Sequence, residues 1–425
     1  MLLSTVTSYL ASYLAAFFHD RPPALIPAAH HDPAPPAPLQ FELRHLHAVS
    51  SDARVLFHDV PPAALSALSR AGEPTTYALR PRKVRTHRPR SLEAFHRARR
   101  RSMRFQESEA VEWDEVEREG PDVESRETLL LLAKMTNNAY LEPGEQGWYE
   151  LGDRWNVSYP FGWEPDDDGF RGHVFATPDN STIVLSIKGT SAAFIGGGGP
   201  TAKKDKFNDN LLFSCCCARV DWTWTTVCDC YRGGWKCDQT CLEKALTDDS
   251  LFYPIGTNLY NNLTYLYPHS DIWMVGHSLG GALASLLGVT FGTPTVAFES
   301  PGEKMAARRL HLPSPPEVQH ITHVYHTADP IAMGTCNGVL SSCALGGYAM
   351  ESKCHLGKSI IYDTVSELSW AVDIRTHTIV NVIEKLLANP WPPSDAVGRE
   401  VPEAKPEEDC VECYSWDFGD YPSSK

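Results

Sequence analysis

The sequence predicts an α/β protein with a mostly parallel sheet flanked by helices, and two observations support this class. Runs rich in β-branched residues alternate with helix-like stretches from about residue 126 to residue 390, an order typical of parallel sheets. Within that range, the apolar run 272–275 leads through Gly-His-Ser-Leu-Gly into small side chains that suit a tightly packed helix. The 425 residues, 42% of them apolar, suffice for one large domain or two small ones.

The N-terminal stretch 2–18 carries no charge and predicts a signal-anchor transmembrane helix over residues 1–19. A cleaved signal peptide and a buried N-terminal helix are the alternatives, although the basic segment that usually begins a signal peptide is missing. No other segment of the sequence is long and apolar enough to span a bilayer. We therefore expect one anchor followed by a soluble body.

Residues 20–125 are expected to form a lumenal stem and an N-terminal region. The stem is proline-rich, and two β-like segments, 41–49 and 53–60, could pair as a hairpin. Residues 80–104 hold eleven Arg and Lys with one acid, whereas residues 107–124 hold nine acids with one Arg. The basic block could bind anionic lipid headgroups, but pairing of the two blocks on a solvated face explains the pattern at least as well.

Residues 126–395 form the predicted main domain, and residues 396–425 form a C-terminal tail. The elements expected in the main domain, besides the strand 272–275 and the helix that follows it, are a helix over 126–140, strands over 181–190, 294–302 and 320–330, and a helix near 372–388.

The twelve cysteines indicate an oxidising compartment. They fall into three local groups: 215–241, 336–354 and 410–413. An even number in local groups favours disulfides. Zinc is the alternative, because Cys237 with Cys241 and Cys410 with Cys413 have tolerable ligand spacing, but no Cys/His knuckle recurs at a fixed distance, and we predict no metal.

Charge and sequons bear on the surroundings of the chain. The net charge of −15 at pH 7 argues against a general nucleic-acid-binding protein, because nucleic acid would repel it. Asn-x-Ser/Thr sequons at Asn156, Asn180 and Asn262 predict N-glycosylation and agree with a lumenal location.

The segment around Ser278 predicts a nucleophile. A G-x-S-x-G match alone is weak, but here a buried strand precedes the serine and a helix of small residues follows it. This is the pattern of a nucleophile elbow, in which the serine lies on a strained turn and the glycines, Gly276 and Gly280, remove colliding Cβ atoms. The alternative is a Gly-rich turn with an idle serine.

A serine hydroxyl needs a histidine base and a carboxylate that orients the base, here expected in the chain order Ser, acid, His. Asp329 is the predicted acid, because it follows the strand 322–325 and precedes Pro330, which ends that strand. An Asx turn before proline is the alternative role for Asp329. Asp363 and Asp373 lie in more helix-like stretches and are weaker candidates for the acid.

His377 is the predicted base, because a loop before a helix can present it at the carboxyl edge of the sheet. His355, in a Cys- and Gly-rich loop, is the alternative. His277 neighbours the serine and cannot turn back to serve as its base. The histidines that precede the acid break the expected order and are treated as strand or surface residues: His320, His323 and His326.

The oxyanion hole requires two donors. One is expected to be the backbone N–H of Leu279, which follows the nucleophile. Gly189 ends an earlier strand, and Thr190 after it can offer both its N–H and its hydroxyl.

With these residues in place, the sequence resembles the class 3 lipases of the α/β-hydrolase fold. The resemblance is carried by the KGT oxyanion segment, the GHSLGG elbow, FESPGE, the HTADPI acid and the RTH base. The cysteine-rich insert, the anchor and the stretch TNNAYLEPGEQGWYELGDRWN are similar to those of the fungal autophagy-related vacuolar lipases, which break down autophagic bodies. The similarity covers about residues 125–420 and the anchor.

This resemblance implies a triad of Ser278, Asp329 and His377 in a catalytic domain over 126–395, with no cofactor. It implies hydrolysis of acyl esters in triacylglycerols and membrane phospholipids, and the disintegration of autophagic bodies and intravacuolar vesicles. It also implies a single-pass type II membrane protein with a lumenal catalytic domain, carried through the ER, the Golgi and multivesicular bodies to the vacuole.

Two questions stay open at this point. The insert 191–250, with glycines 196–199 and several tryptophans (Trp222, Trp224 and Trp235), is either a lid or membrane-contact surface, or a disulfide-tied loop whose tryptophans form a small core. The rival functions are an esterase acting on soluble substrates and a catalytically inactive lipid-binding module that kept the fold.

Overall fold

A ten-stranded sheet carries the fold of this protein, seen in a computed structural model. The structure describes residues 37–49, 55–59, 77–141, 170–190, 202–216, 227–248, 252–336, 341, 343 and 347–421.

The strands that the structure describes are, in chain order, β1 (Leu39–Val49), β2 (Val55–Asp59), β3 (Tyr77–Leu79), β4 (Pro81–Pro89), β5 (Trp113–Pro121), β6 (Gly172–Ala176), β7 (Thr182–Ile187), β8 (Lys236–Asp238), β9 (Asp271–His277), β10 (Thr295–Phe298), β11 (Ile321–His326), β12 (Lys358–Tyr362), β13 (Lys405–Pro406) and β14 (Asp417–Gly419).

The helices described are α1 (Leu92–Phe105), α2 (Arg126–Asn138), α3 (Ala202–Phe213), α4 (Gln239–Asp248), α5 (Phe252–Leu266), α6 (Leu279–Phe291), α7 (Lys304–Arg309), α8 (Thr364–Leu368), α9 (Ile379–Asn381) and α10 (Pro392–Asp395). A 3₁₀ turn covers Ile374–His377, and a π-helical turn covers Val382–Leu386.

The middle of the sheet is parallel, and this confirms the predicted α/β class. The strand order is β13-β12-β11-β10-β9-β7-β6-β1-β2, with β3 paired to β1. From β7 to β12 across this order, neighbouring strands run parallel, whereas the outer strands on both sides pair antiparallel. Open α/β sheets bind their ligands at the carboxyl ends of parallel strands, and here those ends lie together.

Helices cover both faces of the sheet. On β9, Ile272 and Met274 pack in the apolar layer that contains helix α6, whereas Trp273 and Val275 pack in the layer that contains helix α2. Successive side chains of a strand point to opposite faces, so a strand buried on both faces reads as a continuous apolar run. This is why 272–275 shows no alternation.

The sheet extends beyond the predicted limits of the main domain, 126–395. The predicted hairpin of 41–49 and 53–60 is present as β1 and β2, and β1 pairs with β6 of the main domain. On the opposite side, β13 from the predicted tail pairs with β12. Antiparallel edge strands lack the strand–helix alternation that marked the domain in the sequence, and for that reason the sequence did not assign them to it.

The basic and acidic blocks face each other. In the β4–β5 hairpin, Lys83 lies opposite Glu119 and Arg85 lies opposite Glu117. Ion pairs continue along the hairpin and helix α1: Arg82–Glu124 at 2.8 Å, Arg90–Glu112 at 2.6 Å and Arg97–Glu109 at 2.9 Å. Exposed pairs contribute at most about 1 kcal/mol each. The observed arrangement is the paired, solvated face that we weighed against lipid binding.

Disulfides rather than zinc use the described cysteines, as predicted. The bridges described are Cys215–Cys413, Cys216–Cys237, Cys230–Cys241, Cys336–Cys343 and Cys354–Cys410. The first and the last of these join the C-terminal tail to the body, so the pairing crosses the local groups seen in the sequence. In the insert, Trp235 is 53% exposed and its ring packs against Trp416 of the tail at 5.2 Å.

The helix predicted near 372–388 is divided into short segments. Asp373 caps the 3₁₀ turn by accepting a hydrogen bond from Arg375 N at 2.8 Å, and Thr378 caps α9 through Asn381 N at 3.3 Å. Two N-caps in succession stop a single helix from running through His377. Apolar periodicity cannot show this break, because it continues across the cap.

Some predictions lie outside the described residues. These are the anchor over 1–19, the sequon at Asn156, and glycines 196–199, Trp222 and Trp224 of the insert. Among the helices that the structure does describe, none has both the length and the apolar character that a membrane span requires.

Replacing Cys354 and Cys410 together by Ser should lower the free energy of unfolding by roughly 3–4 kcal/mol, because this bridge joins residues 56 positions apart. The matched control replaces Cys336 and Cys343, which lie only 7 positions apart, and should cost at least about 1 kcal/mol less. Chemical denaturation of the oxidised proteins measures both losses. Equal losses would show that loop length does not set the contribution of these bridges.

Candidate active site

The predicted elbow is present where β9 ends. Ser278 has φ 56° and ψ −130° and lies directly before the first residue of helix α6. A Cβ on Gly276 would lie 2.4 Å from the backbone of Gly280, and a Cβ on Gly280 would lie 2.3 Å from the carbonyl oxygen of Ile187. Only glycine lets the strand, the turn and the helix approach this closely.

Three predicted residues, Ser278, His377 and Asp329, form one chain of hydrogen bonds. His377 Nε2 lies 2.9 Å from Ser278 Oγ, and His377 Nδ1 lies 2.7 Å from Asp329 Oδ2. All three side chains are buried. A carboxylate only accepts hydrogen bonds, so Nδ1 carries the proton and Nε2 is left to accept from the serine hydroxyl. This is the geometry of a Ser–His–Asp triad.

Loops bring the acid and the base together. Asp329 lies just beyond β11, and its Oδ1 accepts a hydrogen bond from Ile331 N at 2.9 Å. The turn that carries His377 is tied to the same loop, because the Thr376 hydroxyl donates to the carbonyl oxygen of Ala328 at 2.9 Å. This hydrogen bond therefore ties the loop that carries the acid to the turn that carries the base.

The electrostatics keep Asp329 ionised. Burial alone would raise the pKa of Asp329, but the charge and the hydrogen bond of His377, together with a hydrogen bond from Glu299, lower it below its ordinary value. An ionised carboxylate is what the triad needs, because it orients the imidazole and stabilises the imidazolium that forms during the reaction. Glu299 belongs to the FESPGE motif, but nothing in that motif indicated a contact with the acid.

Two side chains that the sequence analysis missed fix the backbone of the base. His277 Nε2 donates to the carbonyl oxygen of His377 at 2.8 Å, which leaves its Nδ1 to accept from the Tyr140 hydroxyl at 2.6 Å. Burial, reinforced by the charge of His377, lowers the pKa of His277 to about 3, so His277 is neutral. Its place in the G-x-S-x-G motif gave no sign of this contact, because His377 lies about a hundred residues away.

The predicted oxyanion segment lies against the elbow. A Cβ on Gly189 would lie 3.1 Å from Ser278 Cβ and 2.2 Å from the carbonyl oxygen of His277. This contact sets Thr190 beside the start of helix α6, where Leu279 lies, as an oxyanion hole requires.

Helix α3 of the insert holds the oxyanion segment in position. Lys188 Nζ donates to the carbonyl oxygen of Gly189 at 2.9 Å and lies 3.1 Å from Asp205 Oδ2. Thr190 Oγ1 lies 2.5 Å from Asp209 Oδ2. Burial raises the pKa of Asp209 to about 8, although the hydrogen bond with Thr190 opposes it. A neutral Asp209 can donate to the Thr190 oxygen and so free the hydroxyl hydrogen for an oxyanion.

The weaker candidates for acid and base have other partners. Asp363 caps helix α8 by accepting from Ser366 N at 3.2 Å, and Asp373 pairs with Arg375 at 2.7 Å. The three histidines that we treated as strand or surface residues are all buried, on β11 or directly before it: His320, His323 and His326.

His355, the alternative base, belongs to a separate buried pair with Glu407. Its Nδ1 lies 2.6 Å from Glu407 Oε1, and its Nε2 donates to the carbonyl oxygen of Ser300 at 3.0 Å. Burial alone lowers the pKa of His355, but the hydrogen bond and charge of Glu407 raise it above its ordinary value. For Glu407, the contacts with His355 outweigh burial and lower the pKa to about 2.

The remaining predicted sites stay predictions. Asn180 occupies a turn with φ 58° between β6 and β7, and Asn262 lies on helix α5, where its amide donates to Asn258 Oδ1 at 3.2 Å. Within the described ranges, no group of three or more His, Cys, Asp and Glu side chains is arranged to hold a metal ion.

Comparison with known proteins agrees with this geometry. A family model described as lipase (class 3) matches residues 220–293. A protein of Cryptococcus neoformans var. neoformans named "Putative lipase ATG15" is 54% identical over 367 residues, which cover 73% of this chain and 70% of that protein. A protein of the same name from Mycosarcoma maydis is 55% identical over 295 residues, 67% of this chain and 56% of its own length.

Solved lipase structures are more distant. The Lip2 lipase of Yarrowia lipolytica is 17% identical, over 57% of this chain and 80% of its own, with a TM-score of 0.28.

Replacing Thr190 by Val should lower kcat by about 100-fold or more, because removal of one oxyanion donor typically costs roughly 3 kcal/mol of transition-state stabilisation. Thr190→Ser is the matched control, since it keeps the hydroxyl beside Asp209, and we expect it to retain most of the activity. Steady-state hydrolysis of a soluble ester measures both variants. Equal activity in the Val variant and the wild type would show that the hydroxyl takes no part.

The pair of His355 and Glu407 should make the fold most stable in mild acid. The raised pKa of His355 contributes stability that is present below about pH 6.5 and lost as the pH rises through the higher folded value. The lowered pKa of Glu407 contributes stability that is present above about pH 4.5 and lost as the pH falls toward about 2. Both contributions are therefore complete between about pH 4.5 and 6.5.

Glu407→Gln should consequently reduce the free energy of unfolding by about 2 kcal/mol near pH 5.5 and by less near pH 8.5. The amide oxygen still accepts from Tyr325 and Ser359, which donate to Glu407 Oε1 at 2.9 Å. The amide nitrogen, however, cannot accept from the backbone N–H of His355, which donates to Oε2 at 2.9 Å. Only the pH-dependent part of the loss therefore reports the charge. Glu403→Gln, which alters an exposed acid, is the control. Urea denaturation at the two pH values gives the comparison, and a pH-independent loss would contradict the prediction.

Proposed function

We propose, from the premise that this chain belongs to the ATG15 lipase family, that it hydrolyses the acyl esters of membrane phospholipids and triacylglycerols. The observation that carries the proposal is the contact chain from Ser278 through His377 to Asp329, with distances of 2.9 and 2.7 Å. In the cell, this hydrolysis would disintegrate autophagic bodies and other vesicles inside the vacuole.

The first step of the proposed reaction forms an acyl-enzyme. His377 Nε2 accepts the proton of Ser278 as the serine oxygen attacks the ester carbonyl, and Asp329 stabilises the imidazolium that results. The N–H groups of Leu279 and Thr190, with the Thr190 hydroxyl, would bind the negative oxygen of the tetrahedral intermediate. His377 then gives its proton to the departing alcohol.

The second step reverses these roles for water. His377, neutral again, takes a proton from a water molecule that attacks the acyl carbonyl, and the same donors hold the second oxyanion. Return of the proton to Ser278 releases the fatty acid. The bonds of His277 and Thr376 to neighbouring backbone keep His377 in place through both proton transfers.

Exposed apolar residues next to the base support a membrane lipid as substrate. Val365, Leu368 and Val372 are 39%, 40% and 56% exposed, and all lie between β12 and the turn that carries His377. Their segment is tied to the acid loop, since Val365 N donates to Thr327 Oγ1 at 3.1 Å. Apolar side chains in this place would favour contact with acyl chains at a bilayer surface.

An oxidising lumen is the proposed location of the catalytic domain. The described cysteines are all in disulfides, which persist in secretory compartments and are rare in the cytosol. Together with the predicted anchor at 1–19 and the sequons, this supports a type II membrane protein that reaches the vacuole through the ER, the Golgi and multivesicular bodies.

Ser278→Ala should reduce the release of fatty acid from phosphatidylcholine vesicles and triolein emulsions by at least about 1,000-fold, because it removes the hydroxyl that hydrogen-bonds to His377 Nε2. The measurement uses the full chain and follows free fatty acid over time. Ser285→Ala is the matched control: Ser285 is also buried on helix α6, but its hydroxyl donates to Glu303 rather than to the base, and its loss should leave activity close to the wild type.

The same assay separates the rival functions. If the Ser278→Ala variant released fatty acid as fast as the wild type, the serine mechanism would be overturned. If the wild type cleaved a soluble short-chain ester but left the lipids of the vesicles uncleaved, it would be an esterase of soluble substrates. Binding of the wild type to vesicles without any hydrolysis would identify an inactive lipid-binding protein.

A further inference from the structure

A second buried carboxyl, that of Glu299, lies beside the triad. Glu299 directly follows β10, is fully buried, and has φ 43°, in the left-handed region that a non-glycine residue enters at a cost. Its backbone N–H donates to the carbonyl oxygen of Val324 on β11 at 2.9 Å, so the strained residue is held by the sheet. A carboxyl side chain at a position that is both buried and strained is costly unless a polar partner compensates for it.

The carboxyl of Glu299 meets the carboxyl of Asp329. Glu299 Oε1 is buried and, among the described residues, meets no other hydrogen-bond donor. The carboxyl of Glu299 interacts with that of Asp329 through a side-chain hydrogen bond, and Asp329 Oδ2 already lies 2.7 Å from His377 Nδ1. Two carboxylates this close in a buried site cannot both be ionised, so they must share a proton. Burial, with the charge of Asp329 added to it, raises the pKa of Glu299 well above its ordinary value, whereas the pKa of Asp329 is lowered. The proton therefore resides on Glu299.

The other neighbours of Glu299 do not offset a negative charge on it. The backbone N–H of His326 donates to Glu299 Oε2 at 3.4 Å, and His326 Nε2 lies 3.7 Å from Glu299 Oε1. Burial lowers the pKa of His326 and so disfavours a charge on this ring, whose Nε2 donates to the carbonyl oxygen of Thr376 at 3.1 Å.

We propose that Glu299 is a positioning residue: as a neutral carboxylic acid it donates a hydrogen bond to the Asp329 carboxylate and so holds that carboxylate on His377. This inference rests on the proposed function. The donated hydrogen bond has a second effect, because it draws negative charge away from His377. Asp329 then stabilises positive charge on the imidazole less strongly, so loss of this hydrogen bond should move the acid limb of the pH–rate profile upward.

The consequences are tested with two substitutions of Glu299 in the full chain. Glu299→Gln keeps a donor to Asp329 without a titrating proton, and we expect kcat within about threefold of the wild type. Glu299→Leu keeps the volume but removes the donor. We expect it to lower kcat about tenfold with little change in KM, and to move the acid limb of the kcat/KM profile upward by about one pH unit.

The profile is measured on a soluble short-chain ester, so that binding to vesicles does not enter. Glu303→Gln is the matched control, because Glu303 is an equally buried acid that pairs with His323 at 3.1 Å and not with the triad. Loss of a buried acid in general would affect both positions, but only the Leu variant at 299 should shift the acid limb. A Leu variant with the wild-type kcat and the wild-type acid limb would overturn the proposal.

A second readout does not depend on activity. Infrared difference spectra of protein labelled with ¹³C-glutamate, wild type minus Glu299→Gln, should show the carbonyl stretch of a protonated carboxylic acid at neutral pH. A difference spectrum without that band would overturn the proposal even if Glu299→Leu were inactive. A wild type without esterase activity would overturn the proposed function, while the band would still report whether Glu299 carries the proton.

Discussion

The strained turn at Ser278 is the constraint on which the rest of the site depends. Its positive φ points the hydroxyl out of the sheet, and the turn closes only because Gly189 and Gly280 bring no Cβ into the narrow space around it. The same close approach sets the end of β7 beside the start of helix α6. One packing arrangement therefore positions Ser278 and sets the proposed oxyanion donors beside it, and larger residues in place of the glycines would disrupt both.

Burial gives the site its electrostatic character. A buried carboxylate is costly unless it is hydrogen-bonded, and Asp329 meets this requirement with His377, Ile331 and the proton held by Glu299. A second pair, His355 with Glu407, fastens the C-terminal tail to the body.

The sequence predicted the elements that local chemistry determines. The elbow is a contiguous motif, and Asp329 and His377 follow strands in the order that the parallel topology imposes. Contacts between distant segments could not be predicted: Tyr140 looks like any core residue at the end of a helix, and Glu299 belongs to a motif with no visible partner. The divided helix around His377 was missed for a related reason, since an apolar period continues unchanged across the cap at Thr378.

The insert has a structural role in catalysis that does not require it to move. Its helix α3 supplies Asp205 and Asp209, which hold the segment that carries Thr190, and directly beyond that helix lies Cys215, bonded to Cys413 of the tail. A covalent and hydrogen-bonded path thus leads from the C-terminal tail to the oxyanion hole. Reduction of this bridge would therefore loosen α3 and with it the position of Thr190. The bridge between Cys215 and Cys413 thus supports both the fold and the segment that carries the proposed oxyanion donor, Thr190.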